Sequence, residues 1–365
     1  MKVFVTGLRG FPNIPGGIET HCERLYGVLA SHDLDIKIAR RRRYVDSDVD
    51  NNSGVDFVDI WSPASPALET IVHTLLSIVY AFFWRAQIVH IHAIGPGLLV
   101  PFARLLGMKV VLTHHGADYE RQKWGRFAKS LLILGESLGC RFSHRVITVS
   151  RYIRSSVKDK VGVTASYIPN GAPPVVLANN DDYLKELGLT ASGFVFSAAR
   201  FVPEKGLHDL IRAYPCETTC PLVIAGDVEF ESEYSESLKA LAARNDNVIL
   251  TGYLTGEPLR TLFQNARLFV LPSYHEGLPI ALLEAMSFGI EPLVSDIPAH
   301  TEVELPSACY FPVGDTAALT ATLARNLQHN TQVISPESLQ NCVKTHYNWD
   351  AIGQQTLNVY AGVMG

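Results

Sequence analysis

Cysteine is sparse and unpatterned in this chain of 365 residues. The six present (Cys22, Cys140, Cys216, Cys220, Cys309 and Cys342) form no Cys-x-x-Cys pair and no Cys/His group at metal-site spacing. That argues against a disulfide scaffold or a zinc ribbon and for reduced thiols in a reducing compartment. Long apolar runs are also missing. The most apolar stretch, residues 71–84, contains His73 and falls short of the roughly 20 residues needed to cross a bilayer, so it reads as a core helix. The opening MKVFVTGLRGFP has one lysine and a short apolar run ended by Gly7, without the h-region of a signal peptide, and reads as a first buried strand. No short repeat, no low-complexity tract beyond Arg40–Arg43 and no nucleic-acid-binding module is evident. A cytoplasmic globular protein without a nucleic-acid partner is the expectation.

What is there suits two domains. Hydrophobic side chains make up 47% of the chain, enough for two proper cores. The net charge of −5 hides an asymmetry: residues 1–172 hold 21 Lys and Arg against 14 Asp and Glu, whereas residues 173–365 hold 10 against 22. Such a split suggests that the halves face different partners. In the first half, β-branched runs at 2–6, 36–39, 88–92, 110–113 and 146–149 alternate with helix-period segments at 19–31, 67–84, 97–106 and 126–140. Pro and Gly signals become dense at Ile168-Pro169-Asn170-Gly171, followed by a polar stretch. Alternation then restarts, with strands at 194–198, 222–225, 248–251, 268–271 and 293–295 and helices between them. The expected organisation is an α/β Rossmann-like domain over 1–172, a linker over 173–190, a second Rossmann-like domain over 191–345, and a terminal helix within 346–365. Doubly wound sheets bind ligands beyond the carboxyl ends of their strands. Two of them facing across a cleft would suit a reaction that joins two substrates.

The segment richest in chemistry runs from Pro272 to Gly289. A strand ends, a turn carrying Glu276 and Gly277 follows, and a helix starts near Pro279, where proline is tolerated in a first turn. Backbone N–H groups at Gly277 and Leu278 would favour an anion, and a diphosphate fits. Glu284 lies about two helical turns beyond Glu276, so the two carboxylates can bracket the hydroxyls of a sugar and a ribose. Glu284 also sits among Ala281, Leu282, Leu283, Ala285 and Met286, where a carboxylate needs a reason. A second segment, Ser197 to Gly206, leaves a strand and enters a helix with Arg200 and Lys205 exposed to the same edge. No clustered Asp or Asp-x-Asp pattern is expected to hold a divalent ion, so two fixed positive charges stand in for one, and no metal cofactor is expected. In the first half, Gly16-Gly17 follows the first strand, and paired glycines let the backbone approach a bound group; a tight structural turn is the alternative.

With the Glu-x7-Glu pair Glu276/Glu284, the Arg200…Lys205-Gly206 segment, Ile168-Pro169-Asn170-Gly171 and the Gly16-Gly17 loop in order along nearly the whole chain, the sequence resembles a retaining GT-B glycosyltransferase of family 4. The resemblance implies that the donor is a nucleoside diphosphate sugar. Arg200 and Lys205 would hold the diphosphate, Glu276 the transferring sugar and Glu284 the ribose, with a loop at Gly252-Tyr253-Leu254 against the base. His115, in Thr113-His114-His115-Gly116, matches the position that contacts the donor sugar; Asp118 is a candidate on the acceptor side, and His114 has the weaker claim. His90 and His92 lie within a strand and read as satisfied structural histidines. One departure from the family pattern is Gly289-Ile290-Glu291-Pro292, which puts a glutamate at a normally apolar strand entry.

The acceptor is argued from the first half. Basic residues interleave with aromatics at Trp61, Phe82 to Arg85, and Arg121 to Lys129, with Lys123 and Arg126 as contacts. That pattern suits an anionic membrane surface or a polyprenyl-linked acceptor, hence peripheral attachment to the cytoplasmic membrane face and a role in surface polysaccharide assembly. A soluble acceptor, or a non-catalytic protein that binds sugar nucleotides, is the alternative.

Overall fold

The computed structural model describes residues 1–45, 54–120, 125–228, 231–328 and 332–365. Two compact units emerge, one of residues 1–171 together with 348–365, the other of residues 172–347.

Unit 1 is built on a seven-stranded parallel sheet in the order β3-β2-β1-β4-β5-β6-β7. Its strands are β1 (Lys2–Thr6), β2 (Asp35–Arg41), β3 (Asp56–Ile60), β4 (Ile88–His92), β5 (Lys109–His114), β6 (Arg145–Thr148) and β7 (Ser166–Tyr167). Between them run α1 (Gly17–Leu29), α2 (Pro66–Phe83), α3 (Val100–Leu105), α4 (Arg126–Phe142) and α5 (Arg151–Val161). Helices on both faces bury the central strands on both sides, so beyond Lys109 at its start β5, like β4, reads as an apolar run broken by histidine and threonine. Chain order reverses between β1 and β4, which makes the carboxyl end of that pair the switch point of the sheet.

The run Arg40–Arg43 divides in a way its sequence does not announce. Arg40 and Arg41 are buried. The Arg40 guanidinium donates to both oxygens of Asp59 on β3, at 2.7 and 3.0 Å, and Arg41 lies 3.4 Å from Glu69 of α2. These two are therefore structural cations, because a buried guanidinium is tolerable only when paired, and they are withdrawn from any membrane-facing role. Of the candidate acceptor contacts, Lys123 lies outside the described residues and Arg126 is exposed at the start of α4.

Unit 2 carries a six-stranded parallel sheet, β10-β9-β8-β11-β12-β13. Its elements in chain order are α6 (Asp182–Glu186), β8 (Val195–Ala198), α7 (Leu207–Ala213), β9 (Leu222–Ala225), α8 (Glu233–Ala242), β10 (Val248–Gly252) and α9 (Gly256–Asn265). They continue with β11 (Leu268–Leu271), α10 (Ile280–Ser287), β12 (Pro292–Ser295), α11 (Pro298–Thr301), β13 (Tyr310–Phe311), α12 (Thr316–Gln328) and α13 (Pro336–His346). Here the order reverses between β8 and β11. The polar stretch 173–190, expected as a linker, is part of this unit. It contains α6, and the N–H groups of Ala178 and Asn179 donate to Gln264 and Glu257 of α9, both at 2.8 Å.

The out-of-pattern Glu291 has a structural use. Its carboxylate is buried and accepts the N–H of Val333 at 2.6 Å, fastening the segment that leads into α13. The last helix, α14 (Trp349–Met364), belongs to unit 1, where Trp349, Ile352 and Tyr360 join the core formed by Val3, Val5, Leu25 and Tyr26. Burying each such large apolar side chain contributes about 1.5–3 kcal/mol.

Candidate active site

In unit 2 the candidate residues collect beyond the carboxyl ends of β8 and β11. The chain leaves β8 through Arg200, makes a 3-10 turn over Pro203–Lys205, and enters α7 through Gly206. Gly206 has φ +65°, and a Cβ there would run into the Pro272 carbonyl oxygen, so only glycine lets this turn close on the β11–α10 loop. The same closure is held by the Tyr274 N–H, which donates to the Glu204 carbonyl at 2.9 Å. Lys205 is thereby set on Glu276: its ammonium donates to Glu276 Oε1 at 2.5 Å, and the Ser273 hydroxyl donates to the same oxygen at 2.8 Å.

Burial of the Glu276 carboxyl would raise its pKa, but Lys205, His300 and the Ser273 hydroxyl outweigh it and hold the group below 4.5, ionised. His300 is wholly buried, and burial brings it down to about 4 despite the nearby carboxylate. Its Nδ1 sits 2.8 Å from the Ser295 carbonyl and 3.1 Å from the Ser295 hydroxyl. Sequence reading passed over Ser273, Ser295 and His300, because each is unremarkable until the fold sets it beside Glu276.

Helix α10 begins at Ile280, with Pro279 at the N-cap in an extended conformation rather than inside the first turn, and with no side-chain cap. Gly277 and Leu278 lie in the loop just before it, and Glu284 sits in the middle of the helix, partly exposed between the buried Leu283 and Ala285. The helix N-terminus and its leading loop carry partial positive charge toward the same carboxyl edge. Tyr253 follows β10 on that edge and is half exposed, as a residue meant to meet a planar ligand would be.

In unit 1 the loop after β1 meets α1 at Gly16, its N-cap, and Gly17, its first residue. At Gly16 the Arg9–Glu19 ion pair, N···O 3.1 Å, fills the space that a side chain would need. At Gly17 a Cβ would meet nothing, so its own unit does not require glycine there, which leaves room for a ligand to approach.

His115 leaves β5 beside a histidine cluster. Its Nε2 is 3.0 Å from His92 Nδ1, and the His21 ring of α1 packs edge-on at 4.8 Å between centroids. Burial, then the neighbouring histidines, push His115 and His92 well below 6.5. His90 and His92 are fully buried and hydrogen-bonded: Tyr26 bridges them at 2.8 and 2.7 Å, and the second His90 nitrogen lies 2.7 Å from Thr113. His114 is a positioning residue, with Nε2 on Glu136 at 2.8 Å and Nδ1 accepting the Gly116 N–H at 3.2 Å. Asp118 starts the short turn that follows and is partly buried. The expectation that the chain holds no Asp-x-Asp pattern needs correcting, because that spacing does occur in the first half. Asp33/Asp35 lies at the amino end of the sheet, where Asp35 N–H donates to the Met1 carbonyl. Asp46/Asp48/Asp50 lies outside the described residues.

Two Rossmann-like units, each with its candidate groups at the switch point of a parallel sheet, define the GT-B class of glycosyltransferases. Residues 15–175 match the Glycosyltransferase Family 4 model and residues 180–349 match the Glycosyl transferases group 1 model, so that together they take in most of the chain, which belongs to the family 4-type glycosyltransferases. Among curated proteins it is similar to O-antigen chain mannosyltransferase B of Escherichia coli, 26% identical over 234 residues, 59% of this chain and 60% of that protein. It is also similar to the GDP-mannose:cellobiosyl-diphosphopolyprenol alpha-mannosyltransferase of Xanthomonas campestris, 31% identical over 149 residues, 40% of this chain and 39% of that protein. The match thus spans at most about three fifths of either relative. Sucrose-phosphate synthase from Thermosynechococcus elongatus shares the fold, with a TM-score of 0.85 at 18% identity over all of this chain and 98% of that one.

Proposed function

We propose that the chain is a retaining glycosyltransferase that moves a sugar, with mannose the first candidate, from a nucleoside diphosphate to a hydroxyl of a lipid-linked glycan in surface polysaccharide assembly. The observation that carries this reading is the Lys205–Glu276–Ser273 group at the switch point of unit 2, in the loops that leave β8 and lead into α10. One ionised carboxylate, two cations and a helix N-terminus suit the two ends of a sugar diphosphate: Glu276 accepts from sugar hydroxyls while Arg200, Lys205 and the α10 N-terminus meet the phosphates. The names of the two mannosyltransferases above, one an O-antigen enzyme and the other acting on a diphosphopolyprenol, support the donor sugar and the class of acceptor.

In the proposed step the acceptor oxygen bonds to the anomeric carbon on the face from which the diphosphate leaves. The bond from that carbon to the phosphate oxygen breaks, and the acceptor proton passes to the departing phosphate. Preorganised cations stabilise the charge that develops on it, commonly the largest catalytic contribution, so Mg²⁺ is not required to neutralise the diphosphate. The test is a screen of nucleoside diphosphate sugars with a membrane extract as acceptor, reading nucleoside diphosphate release and, by NMR, the anomeric configuration of the new linkage. GDP released from GDP-mannose with an α-linkage formed is the expected result. Release with none of the donors overturns the transferase reading, and an inverted linkage overturns retention.

A further inference from the structure

The histidine cluster of unit 1 holds more lone pairs than its hydrogen bonds use. His21 is 2% exposed, and its Nδ1 lies 2.9 Å from Asn170 Oδ1, an acceptor, so the ring proton is on Nδ1. Its Nε2 is then a bare acceptor, buried and without a hydrogen-bond partner. Buried polar atoms are nearly always satisfied, so this one asks for an explanation. His92 Nε2 lies 2.7 Å from the Tyr26 hydroxyl, and His90 Nδ1 is shared by the Tyr26 and Tyr360 hydroxyls at 2.8 and 2.7 Å. His92 Nδ1 faces His115 Nε2 at 3.0 Å, so one of these two nitrogens carries the proton between them and the other offers a second lone pair.

We propose that His21, His92 and His115 bind one divalent transition-metal ion, with zinc the best match, at the switch point of unit 1. One ligand atom from each residue lies within 4.8 Å of the other two. Tetrahedral zinc, with Zn–N near 2.0–2.1 Å, needs nitrogens about 3.4 Å apart, so the widest separation has to close by up to about 1.4 Å, shared between two rings, and the His92–His115 pair has to open by about 0.4 Å. Whichever of His92 and His115 carries the proton between them moves it to its other ring nitrogen, so both rings stay neutral and the ion takes the place of that hydrogen bond. Two of the three ligands already have the outer hydrogen bond that orients metal-binding imidazoles, Asn170 for His21 and Tyr26 for His92. The rings project from α1, from β4 and from the end of β5, three well-anchored elements. An all-imidazole set favours Zn²⁺, Co²⁺, Ni²⁺ and Cu²⁺ and disfavours Mg²⁺ and Ca²⁺. Three protein ligands leave a fourth position for water or for an oxygen of a bound molecule.

The readout is metal content, so the proposal stands or falls independently of transferase activity. The untagged full chain, stripped with a chelator and dialysed against limiting Zn²⁺ or Co²⁺, is expected to retain one ion per chain. Its Co²⁺ form should show the intense visible d–d absorption of a four-coordinate ion. His21→Ala and His115→Gln should each weaken binding at least 100-fold, and Asn170→Ala roughly 10-fold or more through the outer shell, while His32→Gln, at an exposed histidine, should leave it unchanged. Retention of no stoichiometric ion, or equal retention in the His21→Ala and His115→Gln chains, overturns the site. If a substituted chain does not fold, the wild-type Co²⁺ spectrum decides alone: a weak six-coordinate spectrum overturns the proposal and the four-coordinate spectrum supports it.

Discussion

Lys205 and Glu276 neutralise each other, and under the proposed function a bound diphosphate would compete with the carboxylate for the ammonium. Lys205→Ala and Arg200→Ala are each expected to lower turnover 100-fold or more with the fold intact, since one preorganised charge contact is worth about 3–4 kcal/mol. Steady-state release of nucleoside diphosphate, checked beside circular dichroism, measures it; near-wild-type turnover in both would remove the leaving-group role. Glu291 carries a different expectation. Glu291→Ala strands the Val333 N–H and should cost about 1–3 kcal/mol of stability in unit 2, read from a denaturant midpoint. At this scale the sequence marked Lys205 and Glu276 each from its own segment, and the fold sets the two side chains against each other. The sequence was silent where side chains meet only through the fold. His21, His92 and His115 are too far apart for a spacing rule, and Asn170, read as part of the domain junction, is the side chain whose oxygen faces His21 Nδ1.

Among the elements, the strands most visible in the sequence are those whose residues are all apolar, such as β9 and β11. Strand β3 hides because an edge position allows Asp56 and Asp59 in so short a run, and β7 and β13 have two residues each. Helix α5 was missed because its apolar face is a single line, Ile153, Val157 and Val161, on an otherwise charged segment. The opposite surprise is how much apolar surface α2 and α4 leave open: Phe83 and Phe127 are each 79% exposed. These helices are neighbours, since Leu132 of α4 and Thr70 of α2 both approach Gly95. Among the described residues no helix is long and apolar enough to cross a membrane; under the proposed function, with its lipid-linked acceptor, these exposed side chains would lie against a bilayer. The chain is expected to pellet with anionic vesicles, with less pelleting as salt rises, because each basic residue near the surface adds about 1 kcal/mol that ions screen. Phe83→Glu with Phe127→Glu should abolish pelleting; no pelleting of the wild-type chain at low salt would favour a soluble acceptor.

For the molecule as a whole, acid is the expected weakness. His73 in unit 1 and His300 in unit 2 are fully buried, and burial brings both from 6.5 to about 4. Arg41 lowers His73 further; for His300 the Glu276 carboxylate works in the opposite direction and does not win. In the unfolded chain these rings bind protons as pH falls below 6.5, whereas in the folded chain they do not until about 4. The stability they contribute is therefore complete above 6.5 and drains as pH falls toward 4. Calorimetric melts across that window should show both units losing melting temperature, and a flat profile would contradict the assignment.

The helix α14 makes unit 1 a discontinuous unit, with residues 172–347 spliced into it. On the ribosome this inverts the usual order of completion. The inserted unit has its whole core as soon as Tyr347 emerges, while the unit begun first waits for Trp349, Ile352 and Tyr360 to seal against Tyr26 and to supply a hydroxyl 2.7 Å from His90. A fragment of residues 172–347 should therefore fold alone and melt cooperatively. A fragment of residues 1–171 should bind a hydrophobic dye and regain a sharp melt only when a peptide of residues 348–365 is added; a sharp melt without the peptide would mean that the seal is dispensable.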